Sequence, residues 1–367
     1  MKVKKKIRVL MISSNSDLGG GPNQMFMLGE NLSNIFEIYY ALPKNSNFSM
    51  FLNSKNHIEI AERKICLMDI VNLNKFIKKN NVDIIHAHGK GAGVIARFTN
   101  LLNKKKLIYT FHGIHVECHS FLTNLIYLHY ENIFGRIDNY KIFVSESEKK
   151  YAKKLNIFMG PKITVINNGV SNKLNKDSSK YQEIYQKKNT SSKITVVSTC
   201  RFVKQKNIKD IIRIAKKIPE IDFKIIGYGK LWKEINQYIL EMEVNNVYLI
   251  GLKKNVFRYL CLADIYLSTS LYEGMPLSIL EAMSVGLPIV ASNVVGNLDT
   301  IENGKTGYLY DLNNIDSAIR YIKKLAFDKS HRAKIGNNSF LRQRKFFSKL
   351  QMLSNYENLY KKVAGEF

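Results

Sequence analysis

Short apolar runs rich in Val and Ile recur along the chain, and longer stretches separate them in which apolar residues return every three or four positions. A nearly continuous apolar run of four to eight residues is what a strand buried on both faces requires, and the longer period is that of a helix laid on such a sheet. In the first half the pattern predicts strands at Ile7–Ile12, Glu37–Leu42, Val82–His86, Leu107–Phe111, Lys141–Val144 and Ile163–Ile166. In the second half it predicts Ile194–Thr199, Phe223–Ile226, Val247–Ile250, Asp264–Ser268 and Pro288–Ala291. This alternation argues for an α/β architecture with parallel sheets.

A stretch rich in Ser, Asn, Lys and Gln runs from Ser171 to Lys193 after the turn Asn167-Asn168-Gly169. It reads as an interdomain connection. At 367 residues the chain is also too long for one ordinary doubly wound domain. The expected organisation is an N-terminal domain over 1–170, a linker over 171–193 and a second domain over 194–340. A basic helical tail over 341–367 would be free to cross back to the first domain. No stretch reaches the ~20 apolar residues of a membrane-spanning helix, and Ile7–Ile12, interrupted by Arg8, reads as a first strand rather than a signal peptide.

Composition adds one strong feature. Lys and Arg total 56 against 30 Asp and Glu, a formal net charge of +26. Such an excess suits an anionic partner: nucleic acid, an acidic membrane surface or a phosphorylated ligand. The lysines are scattered, however, and no nucleic-acid-binding motif accompanies them, so a basic nucleic-acid-binding protein is the lesser reading. Four cysteines without C-x-x-C pairing imply no disulfide framework and fit a reducing cytoplasm.

Four segments carry candidate chemistry. After the first strand, Asp17-Leu-Gly-Gly-Gly-Pro22 opens a helical pattern, and a glycine-rich turn there lets backbone amides approach a phosphate, although an ordinary chain reversal needs glycines too. Thr199-Cys-Arg-Phe-Val-Lys-Gln-Lys-Asn207 places cations at the carboxyl end of a strand, where they would neutralise a diphosphate or simply face water. Gly227 and Gly229 follow the next strand, where they could let a nucleotide base lie against the backbone or simply form a turn. A buried strand then leads through Ser270-Leu-Tyr-Glu-Gly-Met-Pro276 into a helix, with Pro276 at a plausible first position and Glu281 about two turns in. This arrangement can present loop amides to an anion and carboxylates to hydroxyl groups, or merely cap and solvate a helix.

Two histidine groups stand apart. His112, His115, Cys118 and His119 are transition-metal ligand types, but their spacing matches no usual paired pattern. His86 and His88, two apart at a strand end, are expected to face opposite ways and not to act together.

The Glu273-to-Glu281 spacing, followed by Ala-Met-x-x-Gly-Leu-Pro-Ile-Val-Ala-Ser292, resembles the E-x7-E pattern of glycosyltransferase family 4. The likeness runs almost end to end. It includes Gly19-Gly20, Asp83-Ile-Ile-His-Ala-His88, Thr110-Phe-His-Gly113, Val144-Ser-Glu-Ser147, Val165-Ile-Asn-Asn-Gly-Val170, Arg201, Lys206, Gly227 and Asn303-Gly-Lys-Thr-Gly307.

The resemblance implies a GT-B fold, two Rossmann-like doubly wound domains facing a cleft, and retaining transfer of a hexose or N-acetylhexosamine from a nucleotide sugar, a uridine diphosphate sugar foremost. It implies that Arg201 and Lys206 hold the donor diphosphate. Glu273 with the amides of Gly274, Met275 and Pro276 would grip the sugar and distal phosphate, and Glu281 the ribose hydroxyls. Gly227 would pack by the nucleotide, Gly20 would meet the diphosphate, and His112 would lie near the reacting sugar. The cationic pair makes a metal unnecessary, so neither metal nor cofactor is expected. The implied acceptor is a glycan on a polyprenyl diphosphate carrier, used at the cytoplasmic face of an inner membrane to build capsule or O-antigen. A nucleotide-sugar epimerase of the same fold would share the donor site and need no acceptor. One departure is Cys200, where the family usually has glycine beside the arginine.

Overall fold

The computed structural model describes residues 6–17, 19–44, 46, 56–114, 116, 120–160, 162–171 and 193–365. The predicted connection 171–193 lies almost wholly outside these residues. The chain divides into one unit comprising Met1–Asn167 with Met352–Phe367, and a second comprising Asn168–Gln351. The second boundary falls after the long helix Lys329–Phe346, within which residue 340 lies. Asn168–Val170 go with the second unit because Val170 bridges to Ser348 and Asn168 binds Met275 there.

The first unit holds seven strands: β1 (Ile7–Ile12), β2 (Phe36–Pro43), β3 (His57–Ile60), β4 (Ile84–His88), β5 (Lys106–Thr110), β6 (Tyr140–Phe143) and β7 (Ile163–Val165). They lie in the order β3-β2-β1-β4-β5-β6-β7, every pair parallel. Chain order runs outward from β1 to β3 and then returns to β4, so the switch point lies between β1 and β4. The helix Lys349–Ala364 buries Met352, Leu353, Tyr356, Leu359, Tyr360 and Val363, a stripe of helical spacing, in one core with Ile7, Val9 and Met11.

The second unit holds β8 (Thr195–Thr199), β9 (Asp222–Ile226), β10 (Val247–Gly251), β11 (Ile265–Ser268), β12 (Ile289–Ser292) and β13 (Gly307–Tyr310). The order is β10-β9-β8-β11-β12-β13, again parallel, with the switch point between β8 and β11. The helix Ile208–Lys216 turns Ile208, Ile211, Ile212 and Ala215 onto this sheet at i, i+3, i+4 and i+7. Ligands of such sheets bind beyond the carboxyl ends of the strands, at the switch point.

Two strands escape the sequence pattern. β3 is an edge strand of four residues with only Ile60 buried, and β13 begins at Gly307. The fourth strand starts two residues later than expected, at Ile84. The expectation that His86 and His88 face opposite ways is overturned. Residues two apart on a strand project from the same face, and the two rings lie 4.0 Å apart by their centroids.

Candidate active site

In the second unit, the exits of β8 and β11 are laced together. Beyond Thr199 the chain passes Cys200 and Arg201, makes a 3-10 turn at Lys204–Lys206 and enters the helix at Ile208 through Asn207, whose backbone is left-handed at φ 45°. The Lys206 ammonium donates to Glu273 Oε1 at 2.5 Å, with side-chain exposures of 14% and 8%. Gln205 Nε2 donates to the Tyr272 carbonyl at 2.9 Å, and the Leu271 amide donates to the Gln205 carbonyl at 2.8 Å. Thr269 Oγ1 donates to the carbonyls of Lys206 and Asn207. Two segments 67 positions apart therefore behave as one platform.

The loop Glu273–Pro276 is held from behind. Gly296 sits at φ 85°, and a Cβ there would meet the Gly274 carbonyl oxygen at 2.5 Å, so the backbones touch where only glycine fits. Asn168 Nδ2 donates to the Met275 carbonyl at 2.9 Å, and Ser292 Oγ to the Ser270 carbonyl at 2.5 Å. Pro276 is the N-cap of the helix Leu277–Ser284, one position earlier than expected. Glu281 is thus its fifth residue, little more than one turn in, and half-buried.

Gly227, at φ 139°, would put a Cβ 1.8 Å from the Cys200 carbonyl oxygen, so the exit of β9 rests against the loop that carries Arg201. Cys200 answers the question raised by its departure from the family glycine. It takes no left-handed backbone, its amide donates to the Ile226 carbonyl at 3.0 Å, and burial pushes its thiol up to about 12, making it unreactive. Arg201, Lys206, Gly227, Glu273, Gly274, Met275, Pro276 and Glu281 all belong to this one unit. Gln205, Asn168, Ser292 and Gly296 are supports that the sequence did not announce.

In the first unit, His86, His88 and His112 gather at the carboxyl ends of β4 and β5. His86 bridges the Tyr360 hydroxyl at 2.6 Å and Thr110 Oγ1 at 2.7 Å. His88 Nδ1 lies 3.0 Å from His112 Nε2. Helix Gly20–Gly29 begins beside them: a Cβ on Gly21 would meet His112 Cγ at 3.2 Å, while one on Gly20 would meet nothing within 4 Å. That leaves the Gly20 backbone approachable.

Burial lowers the basicity of all three rings, to about 4 for His112 and about 3 for His86. Folded-state values below the unfolded 6.5 mean that the unfolded chain binds more protons in acid. Stability from these groups is complete above about pH 6.5 and is lost as pH falls toward 4. Melting curves of the protein between pH 7 and 4 are expected to show that decline. Among the described residues no three His, Cys, Asp or Glu side chains are placed so that they could hold a metal ion, and His115, Cys118 and His119 lie outside those residues.

Residues 180–342 match the model of the group 1 glycosyl transferases, and 52–173 that of glycosyltransferase family 4. The chain is 30% identical, over 72% of its length and 71% of the relative's, to the Escherichia coli UDP-Gal:alpha-D-GlcNAc-diphosphoundecaprenol alpha-1,3-galactosyltransferase. It is 25% identical to the Staphylococcus aureus capsular polysaccharide biosynthesis glycosyltransferase CapM, over 100% of this chain and 99% of that one. Its fold superposes on Anabaena HepE, solved with UDP-glucose, at a TM-score of 0.84 with 18% identity, covering 97% and 100% of the two chains. The class is therefore defined: two parallel-sheet units of the GT-B fold carrying a glycosyltransferase site. The chain belongs to glycosyltransferase family 4.

Proposed function

We propose that this glycosyltransferase takes a hexose or N-acetylhexosamine from a UDP-sugar and passes it, with retention, to a glycan on a polyprenyl diphosphate. The carrying observation is the Lys206–Glu273 platform at the switch point of the second sheet. Cleaving a sugar–phosphate bond builds negative charge on the departing diphosphate, and cations and loop amides fixed in advance stabilise that charge without reorganising. Arg201 and Lys206 take the diphosphate, Glu273 and the amides of Gly274 and Met275 the sugar, and Glu281 the ribose. Pro276, which has no amide hydrogen, shapes the end of that loop. Gly227 keeps the arm of Arg201 in place, and Gly20 and His112 serve from the first unit. No metal is required in this scheme.

The relatives' printed substrates support the donor and acceptor classes. A lipid-borne acceptor also suits the surface of the first unit. The helix Phe121–Phe134 exposes Phe121 (80%), Leu122 (68%), Leu125 (54%) and Ile126 (70%) in its first turns. This helix leads into the amino end of β6, which puts those turns on the carboxyl-end side of the sheet, where His88 and His112 lie. With the charge of +26, that apolar edge fits an anionic bilayer at the cytoplasmic face of an inner membrane. No helix among the described residues is long and apolar enough to cross one.

The test is a screen of nucleotide sugars for thermal stabilisation, followed by transfer to a polyprenyl-diphosphate glycan in anionic vesicles, with and without EDTA. A UDP-sugar is expected to bind, and transfer to survive chelation with the anomeric configuration kept. Binding of no nucleotide sugar, or an inverted product, would refute the reading.

A further inference from the structure

The histidine group of the first unit holds one more piece of chemistry. His88 and His112 are both neutral in this buried setting, so one proton lies between His88 Nδ1 and His112 Nε2 at 3.0 Å. Which ring supplies it fixes the tautomer of both, because each neutral imidazole carries a single N–H. His88 Nε2 is buried and has no partner among the described residues. If His112 donated, His88 would carry its own proton on that Nε2, leaving an N–H donor buried without an acceptor, a rare arrangement in native folds. If His88 donates from Nδ1, the unpartnered Nε2 is a bare lone pair. The proton of His112 then sits on Nδ1, which makes no hydrogen bond among the described residues.

We propose that His88 is the positioning residue for His112: it donates Nδ1–H to His112 Nε2, locks the proton of His112 on Nδ1, and so presents an N–H donor to the bound substrate. The surroundings hold His88 to that task. Its ring lies against His86 at 4.0 Å, and His86 is itself fixed at both nitrogens by Tyr360 and Thr110. Gly21 lets the His112 ring lie close on the first turn of its helix, where a Cβ would sit 3.2 Å from His112 Cγ and crowd the ring. The donor so formed suits an oxygen of the transferred sugar or an oxygen gaining charge as the diphosphate departs. This last step rests on the reading that His112 faces the transferred sugar; the tautomer does not.

The two are therefore tested separately. Nitrogen-15 NMR of the histidine side chains in the ligand-free full chain is expected to show His112 protonated on Nδ1 and bare on Nε2, and His112 protonated on Nε2 would overturn the proposal. For the reaction, His88→Leu is expected to lower kcat by roughly tenfold, the scale of one hydrogen bond, with KM for the nucleotide sugar nearly unchanged. His88→Asn places its amide N–H where Nδ1 stood and is expected to restore most of that loss. Parental kcat in His88→Leu, or no recovery in a folded His88→Asn, would also overturn it.

Discussion

Lys206→Ala is expected to lower kcat/KM by roughly 10²–10³-fold, the cost of removing one preorganised charge-stabilising donor, about 3–4 kcal/mol. The ammonium lies 2.5 Å from Glu273 in a setting almost closed to water, which strengthens its field and leaves no mobile solvent to replace it. The loss should fall mainly on kcat, because charge on the leaving diphosphate grows in the transition state. Removal also strands the Glu273 carboxylate at the proposed diphosphate site, where it would repel the group that Lys206 is proposed to hold. Glu273→Ala alone should therefore harm turnover through the sugar, and Lys206→Ala with Glu273→Ala should cost less than the sum of the two. Steady-state kinetics on the three variants decides the matter. Strict additivity, or a change of under about threefold in Lys206→Ala, would separate the pair from the chemistry.

Most strands of both sheets were legible because parallel strands covered on both faces must be largely apolar, and runs such as Ile265–Leu267 and Ile289–Ala291 leave little choice. β3 was not legible, since an edge strand needs burial on one side only and His57, Ile58 and Glu59 do not read as core. Four residues of β13 opening on Gly307 were too few to distinguish from a turn. The expectation for His86 and His88 failed for a different reason: side chains alternate along a strand, so residues two apart share a face wherever the strand begins, and these two rings lie together. The charged residues proposed for the site stood out because they follow strand ends with glycines and a family spacing. Their contacts could not. Nothing in a linear pattern says that Lys206 reaches Glu273, or that Gly296 is a glycine because Gly274 lies against it. Single polar supports such as Gln205 and Asn168 act through main-chain carbonyls, so their identity alone carries no trace of the role.

The other large effect expected is on stability, at Arg97. Its guanidinium is fully buried, paired with Asp138 at 2.9 and 2.7 Å and with Glu131 at 2.9 Å, while Lys141 lies 3.4 Å from Asp138. Burial opposes the charge on Arg97, but Asp138 and Glu131 more than offset it and hold the group protonated. Two positive and two negative groups thus balance inside the unit, joining the helix Lys90–Asn103, which starts directly after His88 and Gly89, to the helix Phe121–Phe134. Arg97→Met keeps the volume and removes one positive charge, leaving Asp138, Glu131 and Lys141 with one buried negative charge uncompensated. Breaking such a cluster costs about 3–5 kcal/mol, a fall in melting temperature on the order of 10 °C for a unit of this size. Adding Glu131→Gln removes the stranded charge and leaves the Asp138–Lys141 pair, so the double variant should melt above the single one. Mere loss of packing around Arg97, including its contact with the Tyr109 ring at 4.7 Å, predicts the reverse order. Calorimetry on the two variants separates the explanations, and a double variant no more stable than Arg97→Met would show that charge balance is not what this core maintains.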